Sequence, residues 1–322
     1  MLRVDRRLIA HFEWPLFLCT WLLIGVGLMT ILSATRTEEH FVSGYVVRQL
    51  TWAGLGTVAM LAALGFDYHL LQRYGYVLYA GAVVLLVLTD VIGVVGGGAQ
   101  RWLRLGPVAI QPSEFVKIPV VIALAAFLHR YVSEEPVPTR ILLVPALLLA
   151  VPVLLILEQP DLGTAIIVSL TGGSVILVAG MRPRLLLALL GAAALAVPYA
   201  WTFLKPYQQQ RILTFLDPQS DPLGSGYHII QSKIAIGAGQ LTGKGWLQGS
   251  QNRLEFLPEQ HTDFVFSVFA EEWGFVGCVL LLLAFVAFLT RCFVIALRAK
   301  DSFGLLLATG VSTNLICQVL IN

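Results

Sequence analysis

Charge is scarce in this chain. Asp, Glu, Lys and Arg together make up 12% of 322 residues and balance to a net +2. So little charge is too little to clothe an ordinary soluble domain. The basic residues are also scattered, with no basic stripe interleaved with aromatics, which excludes nucleic acid as a partner. Cysteine is rare as well. Cys19, Cys278, Cys292 and Cys317 all lie in or beside apolar runs, and no two form a C-x-x-C pair. That excludes a disulfide framework and a zinc site, and leaves them as small packing residues. Long-period repeats and low-complexity linkers are missing too.

What the chain has instead is apolar sequence, 57% of it. The fold class expected is all-α, a polytopic membrane protein. A spanning helix needs about 20 mostly apolar residues. Nine runs qualify: roughly 14–34, 47–66, 74–96, 111–131, 140–157, 161–180, 185–204, 263–290 and 302–322. Backbone groups in lipid must bond within their own segment, so each run is a helix. Pro119, Pro145, Pro152 and Pro198 fall inside runs and kink them. Arg3, Arg6 and Arg7 precede the first run in the manner of a signal peptide, but that run is too long and lacks a cleavage site.

The short loops set the orientation. One set carries Arg3, Arg6, Arg7, Arg73, Arg130, Arg140, Arg182, Arg184, Arg291, Arg298 and Lys300. The other carries only Arg36, Arg48, Arg101 and Arg104. The positive-inside rule then places the N-terminus in the cytoplasm and the long loop, 205–262, outside. One transmembrane domain, 1–322, is expected.

Charges in or beside a span cost about 2.5–3.5 kcal/mol at mid-bilayer on insertion scales, so each needs a reason. Gln111-Pro112-Ser113-Glu114-Phe115-Val116-Lys117 opens the fourth run. Pro112 suits a first helical turn, and Glu114 suits a helix N-terminus. Lys117 lies three residues on and can pair with Glu114. The pair either fastens one helix to another or forms the wall of a water-filled cavity. Trp102, within Gln100-Arg101-Trp102-Leu103, suits the headgroup level. Asp161 either caps the next helix or lines the same cavity. Arg48 either snorkels or presents its fork of donors to a phosphate.

The long loop holds Tyr207-Gln208-Gln209-Gln210-Arg211, a turn at Asp217-Pro218, and an amphipathic helix around Tyr227–Ile236. Gly243-Lys244-Gly245 fails as a nucleotide loop, because Ala238 replaces the first glycine and Gly245 the Ser or Thr. Polar groups crowd from Glu259 to Asp263 where the loop meets apolar helix. Thr262 or Asp263 is either a helix cap or, for a carboxylate at the lip of an apolar wall, a general base. Glu271 and Glu272 lie about two turns deeper, and Glu271 is expected to share a face with Asp263.

These residues resemble the SEDS family (shape, elongation, division and sporulation), in its elongation branch rather than its division branch. The resemblance rests on Gly98-Ala99-Gln100-Arg101-Trp102-Leu103, the Gln111–Lys117 and Gln159–Ala165 segments, and the run Gly226–Gly245. Its strongest motif is Phe256-Leu257-Pro258-Glu259-Gln260-His261-Thr262-Asp263-Phe264. Each is modest alone; in this order and spacing they are specific.

The resemblance implies ten helices in a bacterial inner (cytoplasmic) membrane and an active site facing the periplasm. This chain stops before the tenth helix and the Ser-Tyr-Gly-Gly-Ser loop ahead of it, so the domain is expected to be C-terminally incomplete. The implied activity is a peptidoglycan glycosyltransferase that polymerises lipid II, an undecaprenyl-diphosphate substrate, for cell elongation and rod shape. Asp263 matches the family's catalytic aspartate, the base of an inverting transfer. Arg48, Arg101, Lys117 and Arg211 are candidates to face the leaving pyrophosphate, with Trp102, Glu114, Asp161 and Glu259 completing the substrate-binding set. A divalent cation, Mg or Mn, suits the pyrophosphate, with ligands unassigned. The implied partners are a class B penicillin-binding protein (a transpeptidase) and other elongation-complex proteins. The rival readings are a lipid-substrate transporter or flippase, with Glu114, Lys117 and Asp161 on its path, and a non-enzymatic scaffold.

Overall fold

Among the described residues each of the nine apolar runs is largely helical, and a small sheet lies between the third and fourth. The computed structural model describes residues 12–36, 41–96, 99–106, 108–132, 136–204, 206–221, 225–249 and 262–321. In chain order these form α1 (Trp14–Thr35), α2 (Gly44–Leu64), α3 (His69–Ile92), β1 (Val94–Gly96), β2 (Ala99–Leu105) and β3 (Val108–Ile110). Next come α4 (Pro112–Phe115), α5 (Lys117–Leu128), α6 (Leu143–Glu158), α7 (Leu162–Val178) and α8 (Pro183–Phe203). The long loop supplies α9 (Pro206–Leu216), a 3-10 turn (Pro218–Ser220) and α10 (Ser225–Ala238), and α11 (Val265–Leu297) and α12 (Ser302–Ile321) follow. Among the described residues α1, α2, α3, α11 and α12 are each long and apolar enough to cross a membrane, and α6, α7 and part of α8 are shorter apolar helices.

The third run ends early. Gly93 closes α3, and Val94 and Val95 pass into a strand. Two β-branched residues look alike in an apolar helix and in a strand. The sheet is antiparallel in order β1-β2-β3, with Val95 opposite Gln100 and Leu103 opposite Ile110. Gly106, at φ 64°, makes the turn between β2 and β3. Gln100 Nε2 donates to the carbonyls of Thr89 and Asp90 at 3.2 Å each, satisfying the end of α3.

The chain folds as two compact units. The unit of residues 66–192 and 289–322 is built around α5, whose residues from Val120 to Ala126, and Leu128, are buried. The helices α3, α6, α7 and α12 pack on it. Small residues allow the approach, since packing in lipid relies on close contact rather than on water exclusion. A Cβ at Gly310 would come within 2.4 Å of Val121 Cγ1, and one at Gly172 within 2.4 Å of Leu149 Cδ1. At one end of this unit Tyr68 OH donates to the Asp301 carboxylate, and Asp301 also accepts from Gly304 N at 2.6 Å. That ties the start of α3 to the start of α12. The Asp301 bond, helped by burial, pushes the Tyr68 phenol up to about 12. Burial works to raise Asp301, but its hydrogen bonds from Tyr68 and Gly304 and the nearby His69 outweigh it and hold the carboxyl low.

The other unit, residues 1–65 and 193–288, pairs α1 with α2 and carries the described parts of the long loop. Trp52, Leu55, Val58 and Leu61 of α2 are exposed, as lipid-facing residues are. The expected turn is present: Asp217 Oδ1 accepts from Gln219 N at 3.1 Å. A helix is present over Tyr227–Ile236, as α10, although Ile234 and Ile236 are exposed.

Candidate active-site residues

The candidate residues divide between the two units. In the α5 unit, Pro119 has no N–H to give to Phe115, and the helical run steps from α4 to α5 at Val116. Lys117 follows at once. Its ammonium donates to Glu114 Oε2 at 2.7 Å, but the pair is lopsided: the Lys117 side chain is 2% exposed and that of Glu114 47%. A buried cation is thus held by a carboxylate that reaches solvent or headgroups. Gln111 Nε2 bonds Ser113 Oγ at 3.1 Å and Asp161 Oδ2 at 3.0 Å.

Asp161 is 8% exposed and caps α7, accepting from Thr164 N at 3.3 Å and Thr164 Oγ1 at 3.0 Å. Arg101, on β2, lies with Nη1 3.9 Å from Asp161 Oδ1. Its Nε donates to Gln159 O at 3.0 Å and its Nη2 to Pro160 O. The guanidinium therefore staples the sheet to the α6–α7 turn, and the capping reading of Asp161 is realised. Trp102, also on β2, is 36% exposed.

In the other unit Asp263 stands in a turn two residues before α11, exposed to solvent. Among the described residues none hydrogen-bonds to its carboxylate, so no helix cap consumes it. The α11 axis then breaks at Gly274, which takes φ 64° and ψ −165°, values open only to glycine. The loop after α10 fills the break. Phe275 N donates to Gln240 O at 2.8 Å and Val276 N to Leu241 O at 3.0 Å. In return Lys244 N donates to Glu271 O and Gly245 N to Glu272 O, both at 3.0 Å. Backbones this close need missing side chains: a Cβ on Gly239 would sit 2.1 Å from Ala270 O, and one on Gly243 2.1 Å from Glu272 O.

Two fully buried carboxylates sit at the break. Lys244 Nζ donates to Glu271 Oε1 at 2.6 Å. Glu272 Oε1 accepts from Ser33 Oγ on α1 and from Leu247 N at 3.1 Å. Glu271 therefore does not share the surroundings of Asp263: it is 0% exposed, whereas Asp263 faces out before the helix begins. Counting eight residues along a helix assumed that Asp263 was already helical. Sequence reasoning missed the Lys244–Glu271 pair, although the failed nucleotide motif marked the loop as a place where glycines serve close approach.

Arg48 lies exposed in the first turns of α2. Arg211 falls on α9, with its side chain outside the described residues, and Glu259 lies outside them altogether. No group of three or more His, Cys, Asp or Glu able to hold a metal occurs among the described residues.

Residues 14–322 match the family of cell cycle proteins that takes in FtsW, RodA and SpoVE. The chain belongs to that family. It is 41% identical to the peptidoglycan glycosyltransferase MrdB of Escherichia coli strain K12 over 315 residues, covering 97% of this chain and 83% of MrdB. It is 31% identical to the peptidoglycan glycosyltransferase RodA of Treponema pallidum over 387 residues, covering 98% and 89%. A solved structure on the coordination of polymerisation and crosslinking by a peptidoglycan synthase complex matches with TM-score 0.80 and 34% identity, over 96% of this chain and 85% of that one. The crystal structure of the rod shape determining protein RodA of Thermus thermophilus matches with TM-score 0.68 and 29% identity, over 96% and 83%.

Proposed function

We propose that this chain is a peptidoglycan glycosyltransferase that polymerises lipid II into glycan strands for cell elongation and rod shape. The observation that carries the reading is the 41% identity, along nearly the whole chain, to a relative named a peptidoglycan glycosyltransferase. It is a multi-pass membrane protein. The inner membrane as its home and an active site facing the periplasm are part of the proposal.

In the proposed mechanism the acceptor hydroxyl attacks the anomeric carbon of the donor sugar. The bond to the undecaprenyl diphosphate breaks, the diphosphate leaves with the electron pair, and Asp263 takes the hydroxyl proton. One base suffices for a single inverting displacement. The Asp263 carboxylate, to which none of the described residues hydrogen-bonds, stands just before α11 and supports this role. Positive charge is needed for the leaving diphosphate. Lys117 suits it by chemistry, with Arg48 and Arg211 as further candidates. Arg101, whose donors already meet two backbone carbonyls, fits a positioning role, as Asp161 does. Trp102, Glu114 and Glu259 remain with the substrate-binding set.

A divalent cation fits only if the substrate's phosphates hold it with one or two carboxylates, a mode in which Mg2+ is commonly bound. The match to a synthase complex that couples polymerisation to crosslinking supports a class B penicillin-binding protein as partner.

Asp263→Asn tests the reading. Asn keeps the shape and an acceptor oxygen but takes no proton at neutral pH. Chain formation from lipid II by purified protein is expected to fall about a hundredfold or more, with thermal stability unchanged. A stable variant that polymerises at more than about half the native rate would remove Asp263 as a base of this kind.

A further inference from the structure

We propose that Lys244 and Glu271 are positioning residues for Asp263, acting through the interlock at the Gly274 break; the inference rests on Asp263 being the base. The half of α11 from Val265 to Gly274 is a short rigid lever, about 1.5 Å per residue in length. Asp263 stands at its outer end. At its inner end the helix breaks, and the 240–245 loop donates to it from Lys244 N and Gly245 N, while Phe275 N and Val276 N just past the break donate to the loop.

The Lys244–Glu271 pair locks that exchange. The two side chains bridge the same two backbones whose amide and carbonyl, Lys244 N and Glu271 O, are already joined at 3.0 Å. The loop is continuous with α10, and α10 grips the outer end of the lever. Ser232 Oγ and Ser267 Oγ are 2.6 Å apart, and the His228 ring lies 6.2 Å from that of Phe264, next to Asp263. Segment 225–248 therefore holds the base-bearing half-helix at both ends. Loosening the inner end lets the lever tilt, and a displacement near 1 Å at a reacting group can cost about a hundredfold in rate.

Lys244→Met alone takes the ammonium partner away from a fully buried carboxylate and could fail to fold. The double variant Lys244→Met/Glu271→Gln removes the pair and leaves no lone charge. Lys244→Arg keeps the charge. Two quantities are measured on the full chain: the steady-state kinetics of chain formation from lipid II, and hydrogen–deuterium exchange of the amides from Phe264 to Ala270.

The double variant is expected to lower kcat about tenfold or more while KM for lipid II stays within about twofold. Faster exchange over Phe264–Ala270 is expected with it, and Lys244→Arg should restore most of both. A native kcat beside faster exchange would show a lock that positions nothing, and would overturn the inference. So would a lowered kcat beside native exchange. An Asp263→Asn protein that still polymerises would sink the base assignment and this inference together. A native-rate double variant beside an inactive Asp263→Asn protein would sink this inference alone.

Discussion

At the scale of single residues, the asymmetry of Glu114 and Lys117 makes a prediction that a symmetric pair would not. Removing one partner of a buried ion pair destabilises by about 3–5 kcal/mol when it strands the other charge away from water. Glu114→Gln strands the Lys117 ammonium, which is 2% exposed. Lys117→Met strands only a carboxylate that is already half in contact with its surroundings. Glu114→Gln is therefore expected to lower the melting temperature clearly, and Lys117→Met to leave it unchanged or raise it. If Lys117 faces the diphosphate, Lys117→Met nonetheless loses most polymerisation. Thermal unfolding in detergent and chain formation from lipid II, measured on both variants, check this. Equal destabilisation by the two would show that the burial difference has no energetic meaning, and a fully active Lys117→Met would reduce the pair to a fastening.

At the scale of elements, the tie between the starts of α3 and α12 sets a pH window. The Tyr68 phenol is raised from 10.0 to about 12, chiefly by its hydrogen bond to Asp301. A raised phenol contributes stability that is complete below about pH 10 and disappears as the pH climbs through 12. The Asp301 carboxyl is lowered from 3.8. Its contribution is present above that value and is lost as the pH falls through the lower, native one. Between these limits the tie is intact. Tyr68→Phe keeps the ring that stacks on Phe303 but removes the donor, so it should cost about 1 kcal/mol at neutral pH. It should also flatten the alkaline end of the stability profile. Melting temperatures of wild type and variant from pH 4 to 11 measure both effects. Curves that run parallel up to pH 11 would mean that the phenol is not coupled to folding.

The helices were legible in the sequence because lipid leaves so little choice: twenty apolar residues in a row can only be helix. The start and end of α1, α7 and α12 fall within a few residues of their apolar runs. The sheet was not legible, since Val94-Val95 merely extends a run and the turn signal Gly96-Gly97-Gly98 stands at its end, where a helix can equally stop. The break in α11 was not legible either. Gly274 is one glycine in an apolar stretch, and only the loop that docks there gives it a reason. For the site, Asp263 stood out through the polar crowd before an apolar run. Lys244 and Glu271, 27 positions apart, meet only through the fold. Arg101 was readable as a cation, but its backbone carbonyl partners, Gln159 and Pro160, were not, because carbonyls leave no mark in a sequence.

At the scale of the whole molecule, the charge asymmetry of the short loops predicts sidedness. A single cysteine at Ser220, beyond α9, is expected to react with a membrane-impermeant reagent in intact spheroplasts. One at Arg182, between α7 and α8, is expected to react only after lysis. Labelling at Arg182 alone in intact cells would invert the topology and with it the outward placement of Asp263.

The enclosure of α5 has a further consequence, for biosynthesis. The helix is short, carries Lys117 at its first position, and is walled by neighbours along most of its length. Three of those neighbours, α6, α7 and α12, are made after it, and α12 follows more than a hundred and seventy residues later. While the ribosome covers that distance, the groove that Gly310 will fill beside Val121 lies open to lipid, and an ammonium sits in a helix too short to bury it unaided. The nascent protein must therefore be held, by its own earlier helices or by the insertion machinery, in a state it cannot complete until α12 arrives.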